Sequence, residues 1–390
     1  MKKASEIFII AVFMLLIIAA PVASYLSPRL DYSEFENRQL TVFPSITKES
    51  VLNGSAMSQF ADFYADHFVL RDAMLTAYVG WNLNFLHRPV VNEVTVQGDT
   101  LLPFLGYTKY NYENIAKNCS DMTEQIAGLA ETVERYGGKF CFVGIPGQYS
   151  MLRDQYPEYM DNKEGFYNFV EERFFSELAE QNVDAIDMRQ TFLALPEVER
   201  YYSKVDHHYN FDGAYVTYRE IMDYVSQYYV VDVLKEEDLV YETVDKPFYG
   251  SRNRKLYNMF QTDEKLRYAL PKDRIEFIRS DNGQTVESSV VELPDTAYAT
   301  YSVYMGGDKG ETVISTNREE LPDILIFGDS FTNPVETLLY YSFDEMRSVD
   351  LRYYTEKSIA EYVQEYQPDV VLYMRDDSVY ITWEGNGILK

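Results

Sequence analysis

Cysteine, histidine and basic residues are scarce in this sequence. Its 390 residues include two cysteines, Cys119 and Cys141, and no Cys-x-x-Cys pair, so ligation of a metal by sulfur is not indicated. Only four histidines occur, and 35 basic residues stand against 62 acidic ones. The net charge of −27 repels phosphate backbones and argues against a nucleic-acid partner. Apolar residues nevertheless make up 46% of the chain, enough for a folded protein with a large core.

The N-terminus predicts export from the cytoplasm. Lysines at positions 2 and 3 precede an apolar stretch from Ile7 to Ala20, and the sequence Pro-Val-Ala-Ser follows. Residues 1–24 are therefore either a signal peptide cleaved near Ala23 or an uncleaved membrane anchor. In both cases the basic start stays inside and the rest of the chain is extracytoplasmic, anchored or secreted. Residues 25–55 are predicted to form an extended stalk.

Alternating helical and strand patterns predict an α/β fold with a parallel sheet. Helices are expected over residues 56–85 (one or two), 111–136, 166–181, 214–228, 334–341 and 358–366. Strands are expected over residues 140–145, 183–187, 323–327, 346–353 and 369–374, and a hairpin over 94–102 with its turn at Gly98-Asp99. Residues 231–320 are instead rich in short β pieces and charges, which indicates an insertion into the α/β core.

The two cysteines fall on different predicted elements. Cys119 lies on the helix over residues 111–136, and Cys141 lies in the buried strand over residues 140–145. In an exported protein a disulfide between them is one interpretation, and two buried free thiols are the other.

A serine at the end of a predicted buried strand is the first candidate for chemistry. The run Ile-Phe-Gly-Asp-Ser at 326–330 places Ser330 in a sharp strand-to-helix turn, where backbone N–H groups hold an oxyanion. The structural alternative is an ordinary turn, because Gly-Asp-Ser also suits turns and helix N-caps.

A second segment offers the acid–base partners that a serine nucleophile needs. The run Asp-His-His-Tyr-Asn at 206–210 lies in a predicted loop just before a helix. His208 would take the proton from Ser330, and Asp206 would orient the imidazole. The structural alternative is a helix N-terminus with chance histidines, stabilised by Asp212.

The same Asp-His-His run also suggests a metal site. Such a site requires at least one further ligand, and His67 is a candidate by composition. Because His67 lies on a predicted amphipathic helix, we interpret it as structural. We therefore predict that the protein uses no metal and no cofactor.

In their order along the chain, these motifs resemble the AlgX/AlgJ-like SGNH-hydrolase-like proteins, especially the DHHW family of Gram-positive bacteria. The matching pieces are Glu36-Asn37-Arg38, Asp66-His67-Phe68-x-x-Arg71, Asp206-His207-His208-Tyr209, Gly213-Ala214-Tyr215, Gly328-Asp329-Ser330-Phe331, Asp350-Leu351-Arg352-Tyr353-Tyr354 and Pro368-Asp369-Val370-Val371. One departure is Tyr209, which stands where the DHHW name has tryptophan.

The resemblance implies an SGNH-hydrolase-like three-layer α/β/α sandwich in circularly permuted order, with the Asp-x-His segment upstream of the serine. This domain would cover residues 56–390, with the β-rich insertion at about 231–320. The family assigns Ser330 as nucleophile, His208 as base and Asp206 as the orienting carboxylate. Its characterised members acetylate alginate and similar exopolysaccharides at the cell envelope, and a membrane-bound O-acyltransferase supplies the acetyl group.

We therefore expect O-acetylation of a surface polysaccharide through an acetyl-enzyme. The expected partners are the polysaccharide acceptor, the membrane-bound O-acyltransferase and the membrane itself. Two alternatives stay open: a secreted carbohydrate acetyl esterase with the same triad, and a non-catalytic polysaccharide assembly protein.

Further residues are expected around the serine. The oxyanion donors would be the Ser330 N–H and a second group from Gly306-Gly307 or Asn333. Arg352 is expected either to bind an anionic group or to form an ion pair at the edge of the core. The remaining candidates near the substrate are Tyr209 and His207.

Overall fold

Helices and strands alternate along the chain as the sequence predicts. The structure is a computed structural model that describes residues 2–36 and 38–382. Met1, Asn37 of the Glu-Asn-Arg motif, and residues 383–390 of the predicted domain lie outside the described residues.

The helices are α1 (Lys2–Leu26), α2 (Lys48–Leu52), α3 (Ser55–Asp66), α4 (Arg71–Gly80), α5 (Tyr112–Arg135), α6 (Gln148–Met151), α7 (Glu164–Glu180), α8 (Met188–Ala194), α9 (Phe211–Val225), α10 (Ser251–Lys255), α11 (Asn333–Leu339) and α12 (Ile359–Tyr366). The strands are β1 (Tyr32–Ser33), β2 (Arg38–Gln39), β3 (Val90–Val91), β4 (Val94–Gln97), β5 (Thr100–Pro103), β6 (Lys139–Ile145), β7 (Ala185–Asp187), β8 (Leu239–Thr243), β9 (Arg267–Pro271), β10 (Ile278–Asp281), β11 (Gln284–Val286), β12 (Glu311–Ser315), β13 (Ile324–Gly328), β14 (Glu345–Asp350) and β15 (Val370–Asp376). A π-helical turn, Trp81–Phe85, directly follows α4.

The chain divides into two compact units. The first unit contains residues 1–95 and 252–261, and the second contains residues 96–251 and 262–390. The predicted domain start at residue 56 falls inside the first unit. The one or two helices predicted over residues 56–85 are α3 and α4, and both belong to this first unit rather than to the sheet-containing one.

The N-terminal helix α1 is the most apolar element of the first unit. Its segment Ser5–Leu26 is long and apolar enough to cross a membrane, which a signal sequence or an anchor would also be. Large side chains such as Phe8, Phe13 and Ile17 are exposed. A helix in the core of a soluble protein would bury such side chains against neighbouring elements.

The segment after α1 corrects the prediction of an extended stalk over residues 25–55. β1 and β2 pair as antiparallel strands, and α2 forms a short helix. Asp66 at the end of α3 accepts hydrogen bonds from both terminal nitrogens of Arg38, at 2.6 and 2.9 Å, and from the N–H of Thr41 at 2.8 Å. These long-range bonds fold the segment back onto α3, and no local periodicity in the sequence indicates them.

A mixed sheet organises the second unit. Among the described residues it has eight strands in the order β11-β10-β12-β14-β13-β15-β6-β7. The strands from β14 to β7 pair in parallel, which confirms the predicted parallel core. β12, β10 and β11 add to one side as antiparallel strands.

The predicted β-rich insertion over residues 231–320 is therefore only partly a separate piece. Its strands β8 and β9 form their own antiparallel pair. Its strands β10, β11 and β12 extend the central sheet, because β12 pairs with β14 along Glu311–Ser315. Strand pairing depends on distant partners, which strand-forming residues alone do not specify.

Helices cover both faces of the sheet and give the three-layer sandwich. α5, α7 and α12 pack on Phe140, Phe142, Leu325 and Phe327 of one face. The alternate residues Cys141, Val143, Ile324 and Ile326 point to the other face and are also fully buried. From β13 the chain passes through α11 to β14 on one side, and then through α12 back to β15 on the other side. Right-handed crossovers in opposite directions place α11 and α12 on opposite faces.

The two cysteines are free thiols. Cys119 on α5 belongs to the core on the Phe140 face, whereas Cys141 points to the opposite face of β6. A sheet therefore separates their side chains, and a disulfide requires Cβ atoms only about 4 Å apart. Of the two interpretations, the structure supports the free thiols.

We predict that neither thiol reacts while the protein is folded. Burial raises the pKa of Cys119 to about 12 and raises that of Cys141 above its usual range, so neither thiolate is present at mildly alkaline pH. Titration with DTNB should detect no thiol in the native protein and both thiols in guanidinium chloride without reductant. A Cys119→Ser variant should release one thiol on denaturation. Fewer than two thiols in the denatured wild-type protein would indicate a disulfide.

Candidate active site

The candidate nucleophile Ser330 lies at the carboxyl end of β13. This strand is entirely buried, and its neighbours β14 and β15 are reached by crossovers in opposite directions, so its end is the switch point of the sheet. Gly328 is required there because an added Cβ would lie only 1.9 Å from the carbonyl oxygen of Met374. The close approach of β15 therefore leaves no room for a side chain at position 328, two residues before Ser330.

Hydrogen bonds hold the turn from Asp329 to Thr332. The N–H of Phe331 donates to the side chain of Asp329 at 3.0 Å. The hydroxyl of Thr332 donates to the carbonyl oxygen of Asp329 at 3.0 Å and also contacts Glu336 on α11. The N–H of Ser330 has no hydrogen-bond partner among the described residues, so it is available to an oxyanion.

The Asp-His-His loop is closed on itself before α9 begins. The N–H of Ser203 donates to the carbonyl oxygen of His208 at 3.2 Å, and Tyr202 and Tyr209 form an isolated antiparallel bridge. The side chain of Asn210 then caps α9 by accepting from the N–H groups of Asp212 and Gly213. A good N-cap thus fixes where the helix starts and where the loop ends.

The structure brings Asp206, His208 and Ser330 into one hydrogen-bonded chain. Nδ1 of His208 lies 2.6 Å from Oδ1 of Asp206, and Nε2 of His208 lies 2.8 Å from Oγ of Ser330. A carboxylate can only accept, so Nδ1 carries the proton and Nε2 is left to accept the hydroxyl proton of Ser330. All three side chains are buried.

Asp206 is held in its ionised form. Burial opposes ionisation, but the adjacent imidazole of His208, which donates a hydrogen bond, and the N–H of Ser251 outweigh it, so the pKa of Asp206 lies well below its usual range. The Ser251 N–H donates to Oδ2 at 2.5 Å, and the His207 N–H donates to Oδ1 at 2.8 Å. An ionised carboxylate with both oxygens bonded keeps His208 in one tautomer and one orientation.

Tyr301 contacts the imidazole of His208 and was not indicated by any sequence motif. The two rings are stacked, with centroids 3.7 Å apart and planes 6° apart. Burial raises the pKa of Tyr301 well above its usual range, so the phenol stays neutral. Its hydroxyl is buried and has no hydrogen-bond partner among the described residues. The ring of Tyr301 therefore packs against one face of the His208 imidazole and restricts its orientation.

Tyr209 does not fit its predicted place near the substrate. Its side chain is fully buried, and its hydroxyl donates to the carbonyl oxygen of Phe331. Tyr209 therefore connects the Asp-His-His loop to the serine turn instead of facing the solvent. His207 is half-exposed, and its Nδ1 lies 2.7 Å from the hydroxyl of Ser251, so it borders the triad on the open side.

Asn333 and Arg352 are joined through Asp308. Nδ2 of Asn333 donates to Oδ1 of Asp308 at 3.0 Å, and Nη2 of Arg352 donates to Oδ2 at 2.8 Å. Arg352 also pairs with Asp350, its Nη2 lying 2.6 Å from Oδ2. The ion-pair alternative for Arg352 is thus the one seen.

Gly307 is a poor candidate for an oxyanion donor. Its N–H already donates to the carbonyl oxygen of Tyr304 at 3.0 Å in a left-handed turn, where φ is +82°. The turn instead positions the next residue, Asp308, which accepts a hydrogen bond from Asn333. The Ser330 N–H remains as the donor that the geometry leaves open.

Asp206, His207 and His208 also offer ligand atoms within 4.8 Å of one another, among the residues described. Both imidazole nitrogens of His208, however, already have partners in Asp206 and Ser330. A metal on His208 would have to break one of these bonds. His67 lies in the first unit, where its Nε2 is 3.0 Å from the carbonyl oxygen of Thr41.

Half of the chain matches a known protein family. The family model of the SGNH hydrolase-like domain, acetyltransferase AlgX, matches residues 104–298, which is half of the chain. The chain belongs to this AlgX-type family. The matched range contains Asp206 and His208, whereas Ser330 lies beyond it, so the AlgX-type match and the serine turn are separate observations. No curated protein matches the chain at a significant level.

Solved structures share the AlgX-type fold of this chain. Bacillus cereus PatB1 is 24% identical with a TM-score of 0.63, covering 74% of this chain and 96% of that one. The same protein with a sulfonyl adduct is 22% identical with a TM-score of 0.63, covering 75% and 98%. A DHHW family protein from Eubacterium siraeum is 18% identical with a TM-score of 0.61, covering 77% and 97%. At these identities the likeness establishes the fold.

We predict that Asp206→Asn lowers kcat by about 10²- to 10⁴-fold, because an amide no longer fixes the His208 tautomer. The measurement is hydrolysis of p-nitrophenyl acetate by the purified protein, with the melting temperature recorded to verify folding. Asp212→Asn is the matched control, since Asp212 lies just beyond the loop and pairs with the half-exposed Arg267. Equal loss in both variants would contradict an orienting role for Asp206.

We predict that Tyr301→Leu lowers kcat by about 3- to 10-fold, which corresponds to the loss of an aromatic contact worth about 0.5–1.5 kcal/mol. Tyr301→Phe keeps the ring and should retain activity close to wild type with unchanged KM. A comparable loss in Tyr301→Phe would show instead that the buried hydroxyl takes part in the reaction.

Proposed function

We propose that this protein is an O-acetyltransferase that modifies a polysaccharide at the cell surface. The observation that carries the proposal is the chain of hydrogen bonds from Asp206 through His208 to Ser330 in a member of an acetyltransferase family. A non-catalytic scaffold would not need a carboxylate, an imidazole and a serine aligned at 2.6 and 2.8 Å.

The first half of the proposed reaction forms an acetyl-enzyme. Oγ of Ser330 attacks the carbonyl carbon of the acetyl donor while Nε2 of His208 takes the hydroxyl proton. The Ser330 N–H stabilises the negative charge that develops on the carbonyl oxygen. The bond to the leaving group then breaks, and the leaving group takes the proton from His208.

The second half transfers the acetyl group to the acceptor. A sugar hydroxyl gives its proton to His208 and attacks the acetyl carbon, and Ser330 leaves and recovers the proton. Water would complete the same cycle as a hydrolase, so the triad serves transfer and hydrolysis equally. The outcome depends on whether the acceptor excludes water from the acetyl-enzyme.

The proposed location follows from the N-terminal helix. The segment Ser5–Leu26 suits a membrane anchor or a signal sequence, and in both cases the triad would act outside the cytoplasm. The proposed acetyl donor is a membrane-bound O-acyltransferase. A multi-pass O-acyltransferase encoded next to this gene would support that partner.

We predict acetyl transfer that depends on Ser330. Incubation with p-nitrophenyl acetate and an oligosaccharide acceptor should give an acetylated oligosaccharide detectable by mass spectrometry. Ser330→Ala should lower kcat by about 10⁶-fold, the scale on which serine hydrolases lose activity with their nucleophile. Activity that survives Ser330→Ala would overturn the triad, and acetate release that no acceptor diverts would favour the esterase.

A sulfonyl fluoride provides a second readout of the same serine. PatB1 has been solved with a sulfonyl adduct, and a nucleophilic Ser330 should likewise displace fluoride and gain a sulfonyl group. Intact mass and peptide mapping should locate the label on Ser330 and should show no label in Ser330→Ala or His208→Ala. Labelling of a different residue would contradict the assignment.

A further inference from the structure

The two units carry very different charge. The first unit has ten basic and nine acidic residues, for a net charge of +1, whereas the second has 25 basic and 53 acidic residues, for a net charge of −28. An anionic lipid surface repels a strongly acidic protein surface within about 8–10 Å at physiological salt. Such a surface does not repel the first unit, which also contains α1.

The end of α1 is fastened to the loop between α3 and α4. The buried hydroxyl oxygen of Ser24 accepts the N–H of Val69 at 3.0 Å. Leu30, just beyond α1, and Leu70, at the start of α4, line the same hollow. Ser5–Leu26 is the segment that suits a membrane span, so this contact holds the start of α4 beside the end of that segment.

An apolar stripe begins at that point and runs along α4 into the π-helical turn. It consists of Leu70, Met74, Tyr78, Trp81 and Phe85, and each of these residues is between 48% and 71% exposed. The spacing of three or four residues puts them on one face of the helix. Trp81 and Phe85 stack with centroids 4.2 Å apart. Leucine, tryptophan and phenylalanine on one helical face are typical of helices that lie in a membrane interface.

We propose that this interfacial stripe lies in the headgroup region of the bilayer that α1 spans. The proposal rests on α1 staying uncleaved. The bilayer is the occupant we infer, because the stripe is continuous with the contact between Ser24 and Val69 and belongs to the unit without net negative charge. Two contacts with the bilayer, α1 and the stripe, would fix how the first unit is oriented on the membrane. A flexible anchor alone would leave that orientation free.

Single cysteine labels on the full chain test the proposal. Leu70→Cys and Met74→Cys report on the stripe, Phe13→Cys reports on α1, and Val230→Cys is the control at a 96% exposed site of the acidic unit. The buried native thiols are expected to stay unlabelled. Each protein is labelled with the fluorophore NBD and inserted into vesicles of equal parts phosphatidylcholine and phosphatidylglycerol, which are then isolated by flotation.

The expected result is blue-shifted NBD emission at positions 70 and 74. Quenching there should be stronger by doxyl groups near the headgroup end of the acyl chain than by groups near the tail end, since interfacial helices insert only about 5–10 Å. Position 13 should be quenched best by the deep groups, and position 230 by neither.

Two results would overturn the proposal in different ways. If positions 70 and 74 behave like 230 while 13 is quenched, the anchor stands and the stripe has no lipid contact; a protein partner or second copy would then cover it. If position 13 is also unquenched, α1 does not span the bilayer, and both the anchor and the stripe proposals fail. The acetyl-transfer assay on lipid-free protein is independent of either outcome.

Discussion

The imidazole of His208 is the point on which the rest of the site depends. Its two nitrogens bond to Asp206 on its own loop and to Ser330, which lies 122 residues further along the chain. For both bonds to form, the Asp-His-His loop and the serine turn must meet within a few tenths of an ångström. The bonds from Ser251 to Asp206 and from Phe331 to Asp329 hold these two segments in place.

Each segment is supported by a buried element and then joined to the other. The loop ends at the capped start of α9, and the serine turn follows the buried strand β13. Tyr209 crosses between them through its bond to the carbonyl oxygen of Phe331, and Tyr301 supports the flat face of His208. Rigid elements place reacting groups more accurately than free loops do. Proton transfer between Ser330 and His208 would require such accurate placement.

The candidate active site and the candidate membrane-facing residues belong to different units. Asp206, His208 and Ser330 belong to the second unit, whose net charge is −28, and the apolar helix α1 with the interfacial stripe belongs to the first, whose net charge is +1. An acetyl donor in the membrane and a hydrated polysaccharide acceptor would meet the protein in different environments. A chain with one unit for each environment would suit the proposed acetyl transfer, and the proposed triad would serve a sugar acceptor and water equally.

Local patterns in the sequence determined the parallel core, the apolar N-terminal helix and the choice of Asp206, His208 and Ser330 as candidates, because periodicity, strand-to-turn motifs and an Asp-x-His spacing are properties of short segments. Tertiary structure decided whatever depends on distant partners. It added β10, β11 and β12 to the sheet, folded the supposed stalk onto α3, and placed the two cysteines on opposite faces of β6. It also turned Tyr209 inward and stacked Tyr301 on His208, since burial and ring contact are set only when separate segments pack together.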